Sequence, residues 1–450
     1  MVMTCTGSAE AQGQQHDDEP KRHSFDFVFI PPMALDEFSL EVYFARHEFS
    51  AKCGRPGIEA RDCRLWSRFS GRRYLLCCSD AETFKMSEIL ALADDEAAEL
   101  WENLALGYTE APGLPLLRAE IAKQLYGQGS TPLSAAHVHC FAGAEEGIYA
   151  CMRALLVPGD HVVVVTPAYQ SLVSIAQAAV RSDERGGVGI SLVDLEVRQG
   201  RWVLPIEQLR ASIRPESKMV VVNFPHNPTG ALLTGAEQLE VVELCRKHDL
   251  YLFSDEVYRG LERDPAERLP PACTLYAKAF SLDVMSKSLG LAGLRVGWLA
   301  SQDTDALQRI AGLKHYLSIC NSAPSEILSL IALRSHDRLL ERNNAIVAAN
   351  LRLVEAFLRE WADHFDWIPP AGGCVGFMRF KDHRDGGVTL EQLAEALVTT
   401  HGCLILPGLH FPSQDAAAYR SFFRFGIGRK NFGECLEQLD QALRKELAPS

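Results

Sequence analysis

The chain has 450 residues, of which 47% are apolar and 23% charged, and it carries a formal net charge of −13. That length exceeds what one hydrophobic core organises and predicts two domains, while the composition is ordinary globular usage and excludes a fibre or a disordered chain. The acidic balance argues against a nucleic-acid partner, whose phosphates attract basic surfaces, and with no run of roughly 18 apolar residues no membrane span is expected.

Residues 1–24 are polar and charged, with no apolar stretch ahead of a small-residue cleavage site, and read as the loose tail of a cytoplasmic protein. Residues 25–105 are apolar enough to pack and are expected to serve as an N-terminal arm and as part of a small domain completed by the C-terminus. Within them, residues 53–73 carry six arginines among glycine, proline and serine, and separate two runs, 49–52 and 74–78, that read as neighbours. An inserted, solvated surface loop is the expected role, ahead of a basic binding patch or retained intron sequence.

From about Gly107 to Ala300, short β-branched runs alternate with longer helical patterns, the signature of βαβ units around a mostly parallel sheet. The expected strands are 161–166, 218–223, 251–254, 280–284 and 296–300. Functional residues in such a sheet lie at strand ends.

Five motifs occupy those ends. Phe141-Ala142-Gly143-Ala144-Glu145 turns from a strand into a helix reaching about Leu156, offering unpaired amides and a positive dipole end to an anion. Pro167-Ala168-Tyr169 can lay an aromatic face over a ring. Asn223-Phe224-Pro225-His226-Asn227-Pro228-Thr229-Gly230 is an extended turn set by prolines and glycine. Ser254-Asp255-Glu256-Val257-Tyr258 ends an apolar strand and buries Asp255, a cost that a cationic partner would offset. Ser286-Lys287 precedes a glycine-rich turn carrying Arg295, pairing an imine-forming amine with an anion-binding guanidinium.

After Ser325 the pattern changes to a long helical stretch through Ile346, Leu353 and Phe357, then Gly372-Gly373, a short run, and a helix opened by a Thr389/Gln392 capping box. A small α+β domain over 326–450 is expected beside a large domain over 106–325. Thirteen cysteines, odd in number, scattered and without a CxxC pair, read as reduced core residues; Cys140, Cys151, Cys245 and Cys403 sit in apolar surroundings. His137-Val138-His139-Cys140 reads as part of a strand, and no metal site is expected.

In this order, the NxPxNPTG, SDExY and SKxxxxxGxRxG motifs resemble the class I/II aminotransferases, fold type I of the pyridoxal 5′-phosphate (PLP) enzymes, from about Gly107 to the C-terminus. The resemblance implies an α/β large domain around a mostly parallel seven-stranded sheet, a smaller α+β domain, and PLP as cofactor. It implies that Lys287 forms a Schiff base with the cofactor and then moves the substrate proton, that Asp255 keeps the pyridine nitrogen protonated, and that Asn227 and Tyr258 bond the phenolic oxygen. Tyr169 would stack on the ring. Phosphate would be held by Arg295 and Ser286, by the amides of Gly143, Ala144 and Glu145, and by Tyr108 reaching into a neighbouring subunit, so that a homodimer with active sites at its interface is implied. Arg424, in Arg420-Ser421-Phe422-Phe423-Arg424, matches the family's substrate-carboxylate arginine, with Asn227 beside it; its planar fork suits a carboxylate.

Two departures stand out. Val284 replaces a phosphate-binding serine three residues before the lysine, and Leu76-Cys77-Cys78-Ser79-Asp80 replaces a glycine-containing substrate loop, with Ser79 near the glycine. The resemblance implies amino transfer between an L-amino acid and a 2-oxo acid. The alternative is an amino-acid lyase or cyclase of the same fold, resembling ACC synthase or capreomycidine synthase, which shares the same catalytic set.

Overall fold

A computed structural model of the chain describes residues 74–128, 131–181, 189–381 and 388–447. The expectations for the tail at 1–24, most of the arm, and the arginine-rich insertion at 53–73 lie outside the described residues.

The strands in chain order are β1 (Tyr74–Leu75), β2 (Val138–Phe141), β3 (His161–Thr166), β4 (Ile190–Asp194), β5 (Glu196–Arg198), β6 (Arg201–Val203), β7 (Ser217–Asn223), β8 (Tyr251–Asp255), β9 (Ala279–Val284), β10 (Gly297–Ala300), β11 (Phe365–Trp367), β12 (Val375–Phe380), β13 (Cys403–Leu404), β14 (Leu406–Pro407) and β15 (Phe422–Gly426). Seven of them form one sheet in the order β2-β10-β9-β8-β7-β3-β4. The pairs β3/β4, β3/β7, β7/β8 and β8/β9 are parallel, whereas β10 runs antiparallel to both of its neighbours. All five expected strands are present, within one residue at each end. Their unbroken apolar runs, such as Val162 to Val165 and Met219 to Val222, are buried on both faces, as a helix-covered parallel sheet requires.

The register aligns the strand ends that carry the motifs. Asn223 lies opposite Asp255, Asp255 opposite Leu282, and Gly297 opposite both Val284 and Phe141. Residues that follow β3, β7, β8 and β9 therefore emerge along one edge, and the reversed β10 brings the segment preceding it, with Arg295, to that same edge.

A second, antiparallel sheet has the order β11-β12-β15-β14. Its aromatic side chains form a separate packed cluster in which Phe365, Phe377, Phe423 and Phe425 are all buried and meet mostly edge-on or tilted. The long helical pattern after Ser325 is two helices, Ala323–Arg334 and His336–Glu360, broken at Ser335, whose ψ of 24° leaves the helical region. Thr389 and Gln392 form the expected capping box of the helix Leu390–His401. His137 closes a short turn, and β2 begins one residue later.

Candidate active site

The helix Ala144–Leu155 opens at Gly143, whose φ of +89° suits glycine and whose cap receives no side-chain hydrogen bond. A Cβ placed on Gly143 would stand 2.3 Å from Nη2 of Arg295, and one on Gly297 would stand 2.7 Å from the amide nitrogen of Ala144. The two glycines thus let a guanidinium and a strand press against the positive end of the helix, which makes a cradle for an anion. Arg295 is itself left-handed, at φ 51°, and its Nη1 lies 3.5 Å from the hydroxyl of Ser286. Val284 is buried in β9 opposite Gly297, so the hydroxyl near the guanidinium comes from Ser286 instead.

Lys287 leaves the end of β9, and its Nζ donates to the hydroxyl of Ser79 at 3.1 Å. Burial, and then the charge of Arg424, lower its basicity. At the end of β8, Asp255 is 4% exposed, and among the described residues its carboxyl accepts a single long bond, 3.3 Å, from the amide of Val257. Burial pushes its carboxyl up to about 7, against the opposing charge of Lys287. Tyr258, wholly buried, donates its hydroxyl to the carbonyl of Ser79 at 2.8 Å, and burial raises its phenol well above the ordinary value.

Asn223, at the end of β7, binds the turn that follows: its side chain accepts from the amide of Asn227 at 2.9 Å and donates to the carbonyl of Asp255 at 3.0 Å. Asn227 is thereby held so that its Oδ1 accepts from Nη1 of Arg424 at 3.2 Å. Arg424 is only 2% exposed, and its Nε and Nη2 both reach the carbonyl of Cys77, at 3.1 and 2.7 Å. Tyr169 follows β3 and donates its hydroxyl to the carboxylate of Glu145 at 3.2 Å, while burial pushes its phenol up to about 12.

Lys287, Tyr258 and Arg424 thus meet on residues 77–79, Asn227 is bonded to Arg424, and Asn223 ties Asn227 to Asp255, while Gly143, Ala144, Ser286 and Arg295 form the adjoining cradle. Tyr108 is not among them: it stands on the surface, 89% exposed. Sequence reasoning gave Glu145 a role only through its amide and did not find the pair Asp80–Arg429, in which Nη2 lies 2.6 Å from Oδ2. Nor did it find that residues 77–80 bridge the two sheets, because main-chain carbonyls leave no trace in a side-chain pattern.

Among known proteins, the family model described as aminotransferase class I and II matches residues 79–433. Capreomycidine synthase of Streptomyces vinaceus is 32% identical over 274 residues, 61% of this chain and 67% of that protein. Arginine–pyruvate transaminase AruH of Pseudomonas aeruginosa is 29% identical over 325 residues, 70% of this chain and 77% of that one. A crystal structure of a PLP-dependent aminotransferase from Streptococcus suis superposes with a TM-score of 0.74 at 24% identity, covering 87% of this chain and 99% of the other.

Proposed function

We propose, from the premise that this chain belongs to the class I and II aminotransferases, that Lys287 is the lysine carrying the cofactor and that amino transfer between an L-amino acid and a 2-oxo acid proceeds at the site around it. The family takes pyridoxal 5′-phosphate in the fold type I architecture, and the residues present fit that group. A buried carboxyl with a single long partner, Asp255, awaits a cation, and the Gly143 cradle beside Arg295 has the room and the charge for a phosphate. When bound, PLP supplies an aldehyde that condenses with amines and a protonated ring that accepts the electron pair released at the substrate Cα.

The chain's own residues do the rest. Arg295, Ser286 and the amides of Gly143, Ala144 and Glu145 grip the phosphate. Asp255 supplies the negative charge that keeps the ring nitrogen protonated, and Asn227 and Tyr258 offer donors to the ring's phenolic oxygen. Tyr169 is oriented by Glu145 to cover the ring face. Arg424 turns its fork to the substrate carboxylate with Asn227 beside it, and Lys287 Nζ, of depressed basicity, is the base at Cα. The observation that carries this reading is the convergence of Lys287, Tyr258 and Arg424 on residues 77–79, with Asn227 bonded to Arg424 and joined to Asp255 through Asn223.

The domain division at 106–325 and 326–450, a cytoplasmic location and a homodimer belong to the same reading. Support for the dimer comes from Leu106, Tyr108 and Tyr316, large side chains 84%, 89% and 85% exposed on one chain. Among the described residues no helix is long and apolar enough to cross a membrane.

The 32% identity to capreomycidine synthase favours one second reading, a cyclase using the same residues. Absorbance spectra of the purified protein with a panel of L-amino acids, beside Lys287→Ala, test both. Conversion of the lysine-bound cofactor to pyridoxamine phosphate supports amino transfer, turnover without it supports cyclisation, and a Lys287→Ala protein with an unchanged spectrum would sink the assignment.

A further inference from the structure

Residues 77–80 form a strap across the site, fastened at every step. The carbonyl of Cys77 receives two bonds from Arg424, the carbonyl of Ser79 receives the hydroxyl of Tyr258, and Asp80 is paired with Arg429. A Cβ on Gly426 would stand 2.0 Å from the carbonyl oxygen of Cys78, and one on Gly428 would stand 2.5 Å from that of Asp80. The strap therefore lies directly on the end of β15, and the position of Ser79 is set by its backbone rather than by its own side chain.

We propose that Ser79 is a catalytic residue, its hydroxyl holding Lys287 Nζ in the ammonium form which that amine adopts on removing a proton from the substrate. The proposal rests on the reading of Lys287 given above. Its geometric basis is the 3.1 Å bond from Nζ to Ser79 Oγ. The charged and titratable groups acting on Nζ are Arg424 from β15, Asp80 and the thiol of Cys78 from the strap, Asp255 from the end of β8, and the thiol of Cys374 ahead of β12. Arg424 opposes an ammonium. Asp80 favours one, but its carboxylate is committed to Arg429, and Asp255 is raised by burial. That leaves the serine oxygen as the acceptor in contact.

In the step, the Cα–H bond breaks, its proton passes to the lone pair of Nζ, and the electron pair stays with the carbon and the acceptor conjugated to it. The new ammonium donates to Ser79 Oγ, and the serine keeps its own proton throughout. When Nζ gives its proton back, the same hydrogen bond reverts to one from a neutral amine.

Hydrogen bonds to charged groups contribute about 1.5–3 kcal/mol, a factor of roughly 10 to 100. The test uses the full chain loaded with pyridoxamine phosphate, in which the Lys287 amine is free. Reductive methylation, read by mass spectrometry of the Lys287 peptide at a pH where the ammonium predominates, should run about tenfold faster in Ser79→Ala, because more of the amine is neutral. In the chain loaded instead with PLP, exchange of the amino-acid Cα proton into deuterated solvent should slow by about ten to a hundredfold. Ser79→Thr, which keeps the oxygen, should restore both. Methylation unchanged in Ser79→Ala, or a threonine variant behaving like the alanine one, overturns the proposal. Exchange that survives in Lys287→Ala overturns the assignment of Lys287 itself, a separate failure.

Discussion

Replacing Asp255 with asparagine removes one buried titration while keeping the shape of the side chain, and its effect on stability can be worked out from the site. Burial raises the carboxyl from its ordinary value of 3.8 to about 7. Between those two pH values the folded protein keeps a proton that the unfolded chain has released. Stability therefore falls as pH rises through that window and levels off above about 7. A displacement of about three pH units corresponds to about 4 kcal/mol. Asparagine carries no such penalty, so cofactor-free Asp255→Asn should gain on the parent chain as pH rises, by up to about that amount. Denaturant midpoints of both proteins between about pH 4 and pH 8 give the difference directly, because every other titrating group is common to them. Adding PLP should then stabilise the parent chain above pH 7 more than the variant, since only the carboxylate gains a cationic partner. Parallel pH profiles for the two cofactor-free proteins would refute the reasoning.

Gly143→Ala places a Cβ against Arg295 and forces a left-handed φ, and it should weaken PLP binding by about 10 to 100-fold in a spectroscopic titration. Arg424→Lys replaces a three-bond fork with a point charge and should raise the KM for the amino donor by roughly 10 to 100-fold while leaving PLP affinity nearly unchanged. Glu326 is 1% exposed and burial pushes its carboxyl up to about 7; one oxygen accepts from the amide of Leu114 and the other has no hydrogen-bond partner among the described residues. Being raised, it costs stability increasingly as pH climbs toward 7, so Glu326→Gln should melt higher than the parent chain at pH 8 and show little difference near pH 5. Sedimentation should report a dimer that Tyr316→Asp weakens, since a charge would replace an exposed aromatic ring that a partner would otherwise cover.

The large sheet was legible because its strands are buried on both faces and so appear as continuous β-branched runs bounded by turns. Val162 to Val165 and Met219 to Val222 are unmistakable in that respect. The side chains at the strand ends were legible for a related reason: a buried Asp255 or a lone Lys287 beside glycines breaks the local pattern. Strand reversal at β10 was not, since its four residues Gly297–Ala300 are as apolar as those of a parallel neighbour. The split at Ser335 was hidden because apolar spacing continues through it. The role of Glu145 as the acceptor for Tyr169 depends on two elements meeting, which no local spacing encodes.

The strap is fastened to Arg424 and Tyr258 by its own main-chain oxygens, and peptide carbonyls are the same in every amino acid. Its course can therefore survive a change of side chain at position 79, which would alter what meets the Lys287 amine without unseating Arg424. The strap thus separates the two jobs: its main chain fixes the site's frame, and its side chain at 79 alone is free to vary against the lysine.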